Sequence, residues 1–147
     1  MVGEVVQARS DEEALHWLAD PEFDMRKRAV VEDSALILPT EAAASREVRV
    51  TERTNDRVAV RAKLSHPGLL VISEGYYPGW RAAVDGVATP LVRANVMMRG
   101  VVLDAGEHEV EFHFRSRSIE VGAALSIATL ALVAALRRRL VISEPRV

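Results

Sequence analysis

Residues 47–63 read EVRVTERTNDRVAVRAK, and their alternation of apolar and polar side chains decides the fold class. Val48 and Val50 alternate with charged residues and threonine, and residues 58–62 repeat the same pattern. A period of two is typical of a β-strand that has one buried and one solvated face. We therefore predict two strands joined by a turn, each with a single apolar face.

The register of this hairpin depends on the length of its turn. A three-residue loop at 54–56 places Val48 opposite Ala62 and Val50 opposite Val60, so that the apolar side chains share one face. A two-residue turn would shift the pairing by one residue and bring apolar and charged side chains together. We predict the three-residue loop.

Short segments with strand character continue on the C-terminal side of this hairpin. They are apolar or alternating runs separated by turn residues such as Asp85-Gly86, and they cover residues 69–73, 80–84, 87–93, 96–103 and 108–114. About seven or more short antiparallel strands of this kind predict a mainly β chain, with a β-sandwich over residues 47–118.

The N-terminal residues, 1–46, are predicted to pack on the sandwich as a segment of strand and helix. Ser10 and Glu13 form a capping box, which predicts one short helix beginning there. Two strand candidates flank this helix, at residues 2–8 and 29–32.

Composition excludes several classes of protein. The 147 residues contain no cysteine, so we expect neither a disulfide framework, nor a cysteine-ligated zinc site, nor thiol catalysis. A net charge of −2 provides no basic footprint for nucleic acid. The sequence has no phosphate-binding glycine loop or nucleophile motif, so no catalytic residue, metal or cofactor is predicted.

Residues 119–136 form a long run in which Glu120 is the only charged residue. As a helix these residues span roughly 27 Å, which is close to the thickness of the hydrocarbon core of a bilayer. We predict a C-terminal transmembrane helix, and a buried helix of a soluble core is the alternative. The arginines that follow favour the membrane, because such clusters mark the cytoplasmic side.

The predicted location is the cell membrane, with residues 1–118 outside the cytoplasm and the basic tail, residues 137–147, inside it. No signal-peptide pattern follows Met1, so we expect a fragment of a longer membrane protein, a split subunit or a tail-anchored arrangement. Tail anchoring would instead leave the sandwich in the cytoplasm. Arginines at both ends of the helix are expected at the membrane interface, namely Arg115, Arg117, Arg137, Arg138 and Arg139.

One face of the predicted helix carries small side chains, those of Ala124, Ala128, Ala131 and Ala135. Such stripes let helices approach closely in lipid, so the lipid bilayer and other transmembrane helices are the expected partners. The abundance of alanine in this stretch is the alternative explanation.

Several motifs resemble those of one protein family. They are residues 70–86 (LVISEGYYPGWRAAVDG), Arg93-Ala94-Asn95, 105–108 (AGEH) and 112–118 (FHFRSRS). Together they resemble the C-terminal region of the bacterial YfhO-like membrane proteins, and residues 12–15 and 18–24 are similar to the segment that precedes the sandwich in that family. The resemblance covers nearly the whole chain.

The resemblance implies a long multi-pass protein similar to the GT-C glycosyltransferases, which use lipid-linked sugars. In that family an extracytoplasmic β-sandwich lies near the C-terminus and is followed by a last membrane helix. The present sequence lacks the many N-terminal membrane helices and the acidic loop that would carry the catalytic carboxylate. The resemblance therefore implies a non-catalytic sandwich associated with a glycosyltransferase-type membrane body.

Three aromatic residues lie close together at Tyr76, Tyr77 and Trp80. Aromatic rings pack on the flat faces of sugars, so an independent membrane-anchored module that binds cell-envelope glycan is the alternative function. The structural interpretation is that Pro78-Gly79 forms a turn and Trp80 fills the sandwich. Exposure of the rings distinguishes these two interpretations.

Overall fold

Strands make up most of the chain. The computed structural model describes residues 1–32 and 46–142, with the elements β1 (Glu4–Gln7), α1 (Asp11–Ala19), β2 (Arg28–Val31), β3 (Arg46–Arg53), β4 (Arg57–Leu64), β5 (Gly68–Gly75), β6 (Trp80–Val84), β7 (Val87–Thr89), β8 (Val92–Ala94), β9 (Met98–Leu103), β10 (Gly106–Phe114) and α2 (Arg117–Ile142). The chain divides into a β-rich unit, Met1–Arg115, and a C-terminal unit, Ser116–Val147.

The strands form two sheets. The first sheet has the order β1-β2-β8-β9-β5, and the second sheet has the order β3-β4-β10-β6-β7. Neighbouring strands are antiparallel except β1 and β2, which run parallel and are connected through α1. The N-terminal residues therefore contribute two strands to the first sheet itself.

The main hydrophobic core contains side chains from both sheets. Val110 and Phe112 come from β10 of the second sheet, and Leu70, Val101 and Leu103 come from the first sheet. The period of two in each strand produces this core, because it turns every second side chain toward the opposite sheet.

Helix α1 begins where the sequence predicts. Ser10 Oγ accepts a hydrogen bond from the Glu13 N–H at 3.2 Å, and Glu13 Oε2 accepts one from the Arg9 N–H at 2.8 Å. These bonds satisfy backbone donors that the start of a helix leaves unpaired. The predicted cap at Ser10 is therefore confirmed, whereas the reciprocal bond of Glu13 goes to the N–H of Arg9, one residue before the cap.

The β3–β4 hairpin has the predicted register. Val48 pairs with Ala62 and Val50 pairs with Val60, so the three-residue loop is confirmed. The expectation of a buried apolar face on β3 is wrong, because Val48 is 42% exposed and Val50 is 57% exposed. Among the described strands β3 lies at the edge of the second sheet and has a neighbour on one side only, which leaves its apolar face less covered.

The predicted strand at residues 87–93 is two strands in the structure. β7 pairs with β6 in the second sheet, whereas β8 pairs with β9 in the first sheet. Pro90 lies between them and has no N–H to donate to a sheet, so the second sheet ends there. The turn before β7 is the predicted one at Asp85-Gly86, with φ angles of 52° and 79°, which are typical of a type I′ turn.

Helix α2 forms the described part of the C-terminal unit. Among the described residues, no helix is both long enough and apolar enough to cross a membrane. The prediction of a transmembrane helix at residues 119–136 is therefore wrong. That prediction relied on the lack of charge, but half of the stretch consists of alanine, glycine, serine and threonine, which are small or polar.

Some predictions concern parts of the chain that lie outside the described residues. These parts are residues 33–45 of the N-terminal segment, residues 143–147 of the basic tail, and the side chains of Arg117, Arg138 and Arg139. A contact between the alanine stripe of α2 and another helix stays a prediction.

Candidate functional site

A four-residue loop joins β5 to β6 and carries Tyr76 and Tyr77. Backbone hydrogen bonds hold both of its ends, since the Tyr76 N–H donates to Met97 O at 2.6 Å and the Arg115 N–H donates to Gly79 O at 2.8 Å. Gly79 has a φ of 114°, a conformation that other residues rarely adopt. The loop is therefore anchored at both ends and favours glycine at its last position.

This loop borders a groove of about 760 Å³. The lining combines aromatic rings with nitrogen donors and includes Tyr76, Tyr77, Trp80, Arg81, Pro90 and His113. Arg81 and His113 are neighbours because they pair directly across β6 and β10. Within the described residues, no acidic side chain lines the groove. The groove thus offers ring faces beside hydrogen-bond donors.

The clustered rings differ in their exposure. Tyr77 is 65% exposed and Tyr76 is 43% exposed, whereas Trp80 is half-buried and packs against the main core. Tyr77 and Trp80 both lie beside Phe114, with ring centroids 6.4 Å and 5.6 Å from it. Two rings are therefore exposed, and Phe114 lies beside both Tyr77 and the half-buried Trp80.

A buried cation lies against Trp80 and was not among the predicted site residues. Arg99 on β9 is 1% exposed, and its Cζ lies 3.6 Å from the centre of the Trp80 ring. Its Nη1 donates to Gly75 O at 2.9 Å, and its Nη2 donates to the Glu74 carboxylate. Burial lowers the pKa of Arg99, and Glu74 opposes that effect. An isolated arginine within the apolar run at 96–103 is the sequence signal that indicates this residue.

Ion pairs cover the outer face of the second sheet. Arg57 bonds Glu111 at 2.9 Å, and Lys63 bonds Glu107. These carboxylates are therefore paired with cations on a neighbouring strand. Within residues 1–32 and 46–142, no three histidine, aspartate or glutamate side chains come together as metal ligands. The face resembles a solvated surface more than an active site.

A carboxylate–histidine pair ties the β6–β7 turn to β10. His108 Nδ1 donates to Asp85 Oδ2 at 2.7 Å, and the Glu109 N–H donates to Asp85 Oδ1 at 2.8 Å. Both bonds favour the ionised carboxylate, so they hold the pKa of Asp85 below its ordinary value, the bond from His108 having the larger effect.

The contribution of Asp85 to stability is expected to depend on pH. Because folding lowers its pKa, this contribution is present above the ordinary aspartate value of about 3.9 and is lost as the pH falls through the lower folded value. Asp85→Asn removes the charge but keeps the turn, since asparagine also tolerates positive φ. Between about pH 6 and about pH 3, we expect the free energy of urea unfolding to fall less in the variant than in the wild type. If the free energy of unfolding fell equally with pH in the two proteins, this contribution of Asp85 to stability would be contradicted.

Comparison with known families matches residues 34–126, more than half of the chain, to the family described as bacterial membrane protein YfhO. The chain belongs to the YfhO family. No curated protein and no solved structure matches the chain significantly. The matched residues include strands β3 to β10 and every residue named above in the lining of the groove. The YfhO family consists of bacterial membrane proteins, which supports association of this chain with the membrane.

Proposed function

We propose that the β-rich unit is a non-catalytic domain of a YfhO-family membrane protein, located outside the cytoplasm and associated with a glycosyltransferase-type membrane body. The family match over residues 34–126 supports the part of this proposal that concerns a YfhO-family membrane protein. The ion pairs on the second sheet also support it, because paired surface carboxylates are poor candidates for general acid–base catalysis.

Thiol labelling in intact cells tests the location. Since the chain has no cysteine, Val87→Cys introduces a single thiol at a position that is 69% exposed. We expect a membrane-impermeant maleimide to label this variant in intact cells, and we expect the labelled protein in the membrane fraction. Leu103→Cys is the matched control and stays unlabelled, because Leu103 is buried. Labelling of Val87→Cys only after lysis would overturn the proposed location.

Contact with cell-envelope glycan is the alternative function that we propose, and the groove beside the Tyr76–Tyr77 loop is the observation that favours it. The exposed tyrosine rings suit the apolar face of a sugar ring. Arg81 and His113 lie in the same groove and supply donors for sugar hydroxyls. The groove therefore has the two kinds of contact that carbohydrate binding requires.

Tyr77→Ala tests the glycan contact. We expect this variant to lower the apparent affinity for purified cell-wall glycan, measured by co-sedimentation, by about fivefold, which corresponds to ~1 kcal/mol. Val87→Ala removes an equally exposed apolar side chain of the β6–β7 hairpin and serves as the control. Absence of wild-type co-sedimentation, or equal losses in the two variants, would overturn glycan binding by this groove.

A further inference from the structure

Both ends of the Tyr76–Tyr77 loop meet at one guanidinium group. Gly75 directly precedes the loop, and its carbonyl oxygen accepts a hydrogen bond from Arg99 Nη1 at 2.9 Å. Trp80 directly follows the loop, and its ring lies 3.6 Å from Arg99 Cζ. Arg99 thus contacts the last residue of β5 and the first residue of β6.

The acidic partner of Arg99 is itself held in place. Glu74 Oε2 accepts from Arg99 Nη2, while Glu74 Oε1 bonds Arg53 Nη2 at 2.8 Å. Arg53 lies on β3 of the second sheet, whereas Glu74 and Arg99 lie on the first sheet. The ion pairs of Arg53, Glu74 and Arg99 therefore connect the two sheets next to the start of the loop.

Stability alone does not explain an arginine at this position. Its side chain is 2% exposed, and its Nε is buried without a hydrogen-bond partner among the described residues. Burying a charge and leaving a donor unpaired are both unfavourable, and apolar replacements of buried ion pairs are often neutral or stabilising. A methionine or leucine carries neither a charge nor a donor, although replacing Arg99 alone leaves the Gly75 carbonyl and one Glu74 oxygen without this partner.

We propose that Arg99 is the positioning residue of the aromatic groove. It holds Gly75 and Trp80 at a set separation, and it thereby orients Tyr76 and Tyr77 before any ligand arrives. A site that is ordered in advance loses less conformational entropy on binding. The expected effect of Arg99 on binding rests on the proposed glycan contact, whereas the ordering of the loop does not depend on any ligand.

Tryptophan fluorescence tests the ordering of the Tyr76–Tyr77 loop in the absence of glycan. The chain has two tryptophans, so Trp17→Phe leaves Trp80 as the only indole. In this background we expect Arg99→Met to raise the acrylamide quenching constant of Trp80 by about twofold and to shift its emission, because the cation–π contact is lost. Arg61→Met is the matched control, since Arg61 has a 71% exposed side chain, and it should leave both signals unchanged.

Arg99→Lys provides a second variant in case Arg99→Met does not fold. Lysine keeps the charge opposite Glu74 but lacks the planar group that lies on the indole, so we expect a quenching constant between those of the wild type and Arg99→Met. Wild-type quenching in every folded Arg99 variant would overturn the inference.

Co-sedimentation with purified cell-wall glycan then measures the consequence for binding. We expect the folded Arg99→Met variant to lose affinity by about tenfold. Raised quenching with unchanged affinity would overturn the link between ordering and binding. Raised quenching in a protein whose wild type binds no glycan supports the positioning role and overturns only the proposed glycan contact.

Discussion

Phe112→Ala is expected to destabilise the β-rich unit by about 3–5 kcal/mol, the usual cost of truncating a core phenylalanine. Phe112 is fully buried and pairs with Val58 on β4 and with Ala82 on β6. β10 is the central strand of the second sheet, so truncation leaves a cavity in the middle of the main core. Urea unfolding followed by circular dichroism measures the loss of free energy.

The matched control for Phe112→Ala is Val87→Ala. Val87 is 69% exposed, so this change is expected to alter the free energy of unfolding by less than about 0.5 kcal/mol. A loss below about 1 kcal/mol in Phe112→Ala would mean that the site collapses around the smaller side chain. That result would contradict the central place given to Phe112 in the core.

Gly79→Ala is expected to destabilise the same unit by roughly 2–5 kcal/mol, because it combines backbone strain with overpacking. Gly79 has a φ of 114°, which disfavours any side chain. An added Cβ would also lie 2.7 Å from Phe114 Cε2 and 3.0 Å from the Arg115 carbonyl oxygen. Since the clash lies in the loop that borders the groove, we expect affinity for cell-wall glycan to fall as well.

Gly75→Ala is the control at the other end of this loop. A Cβ added at Gly75 meets nothing within 4 Å, and the φ of Gly75 is not positive. The variant is therefore expected to differ from the wild type by less than about 1 kcal/mol in urea unfolding. Equal losses for the two alanine variants would show that glycine content, and not the geometry at Gly79, determines the stability of the loop.

Local features of the fold could be predicted because short-range interactions produce them. The β3–β4 register follows from matching apolar faces across a three-residue loop. The type I′ turn at Asp85-Gly86 follows from two residues that tolerate positive φ. The cap at Ser10 follows from side chains that reach backbone donors within one helical turn.

Features that depend on the whole assembly could not be predicted in the same way. The exposure of Val48 and Val50 depends on the place of β3 at the sheet edge, and the period of two is the same for an edge strand and a central strand. The run at 119–136 resembles a membrane span in its lack of charge, but no helix among the described residues is both long enough and apolar enough to cross a membrane.

The candidate site likewise combines features that the sequence predicts with features that only the tertiary structure shows. The cluster of Tyr76, Tyr77 and Trp80 could be read from the chain, because these residues are close in sequence. Arg81 and His113 are far apart in sequence, and only the pairing of β6 with β10 brings them into the groove beside those rings. A linear sequence does not specify which strands become neighbours across such a distance.

By itself, the sequence determined the strand periodicity, the turns, the helix cap and the family of this protein, because each of these resides in residues that are close along the chain. Only the tertiary structure decided that β7 and β8 enter different sheets, which rings remain exposed, and that Arg99 from β9 lies against Trp80 from β6. The physical reason is that burial and long-range contact depend on how the two sheets pack, and that packing is a property of the whole β-rich unit.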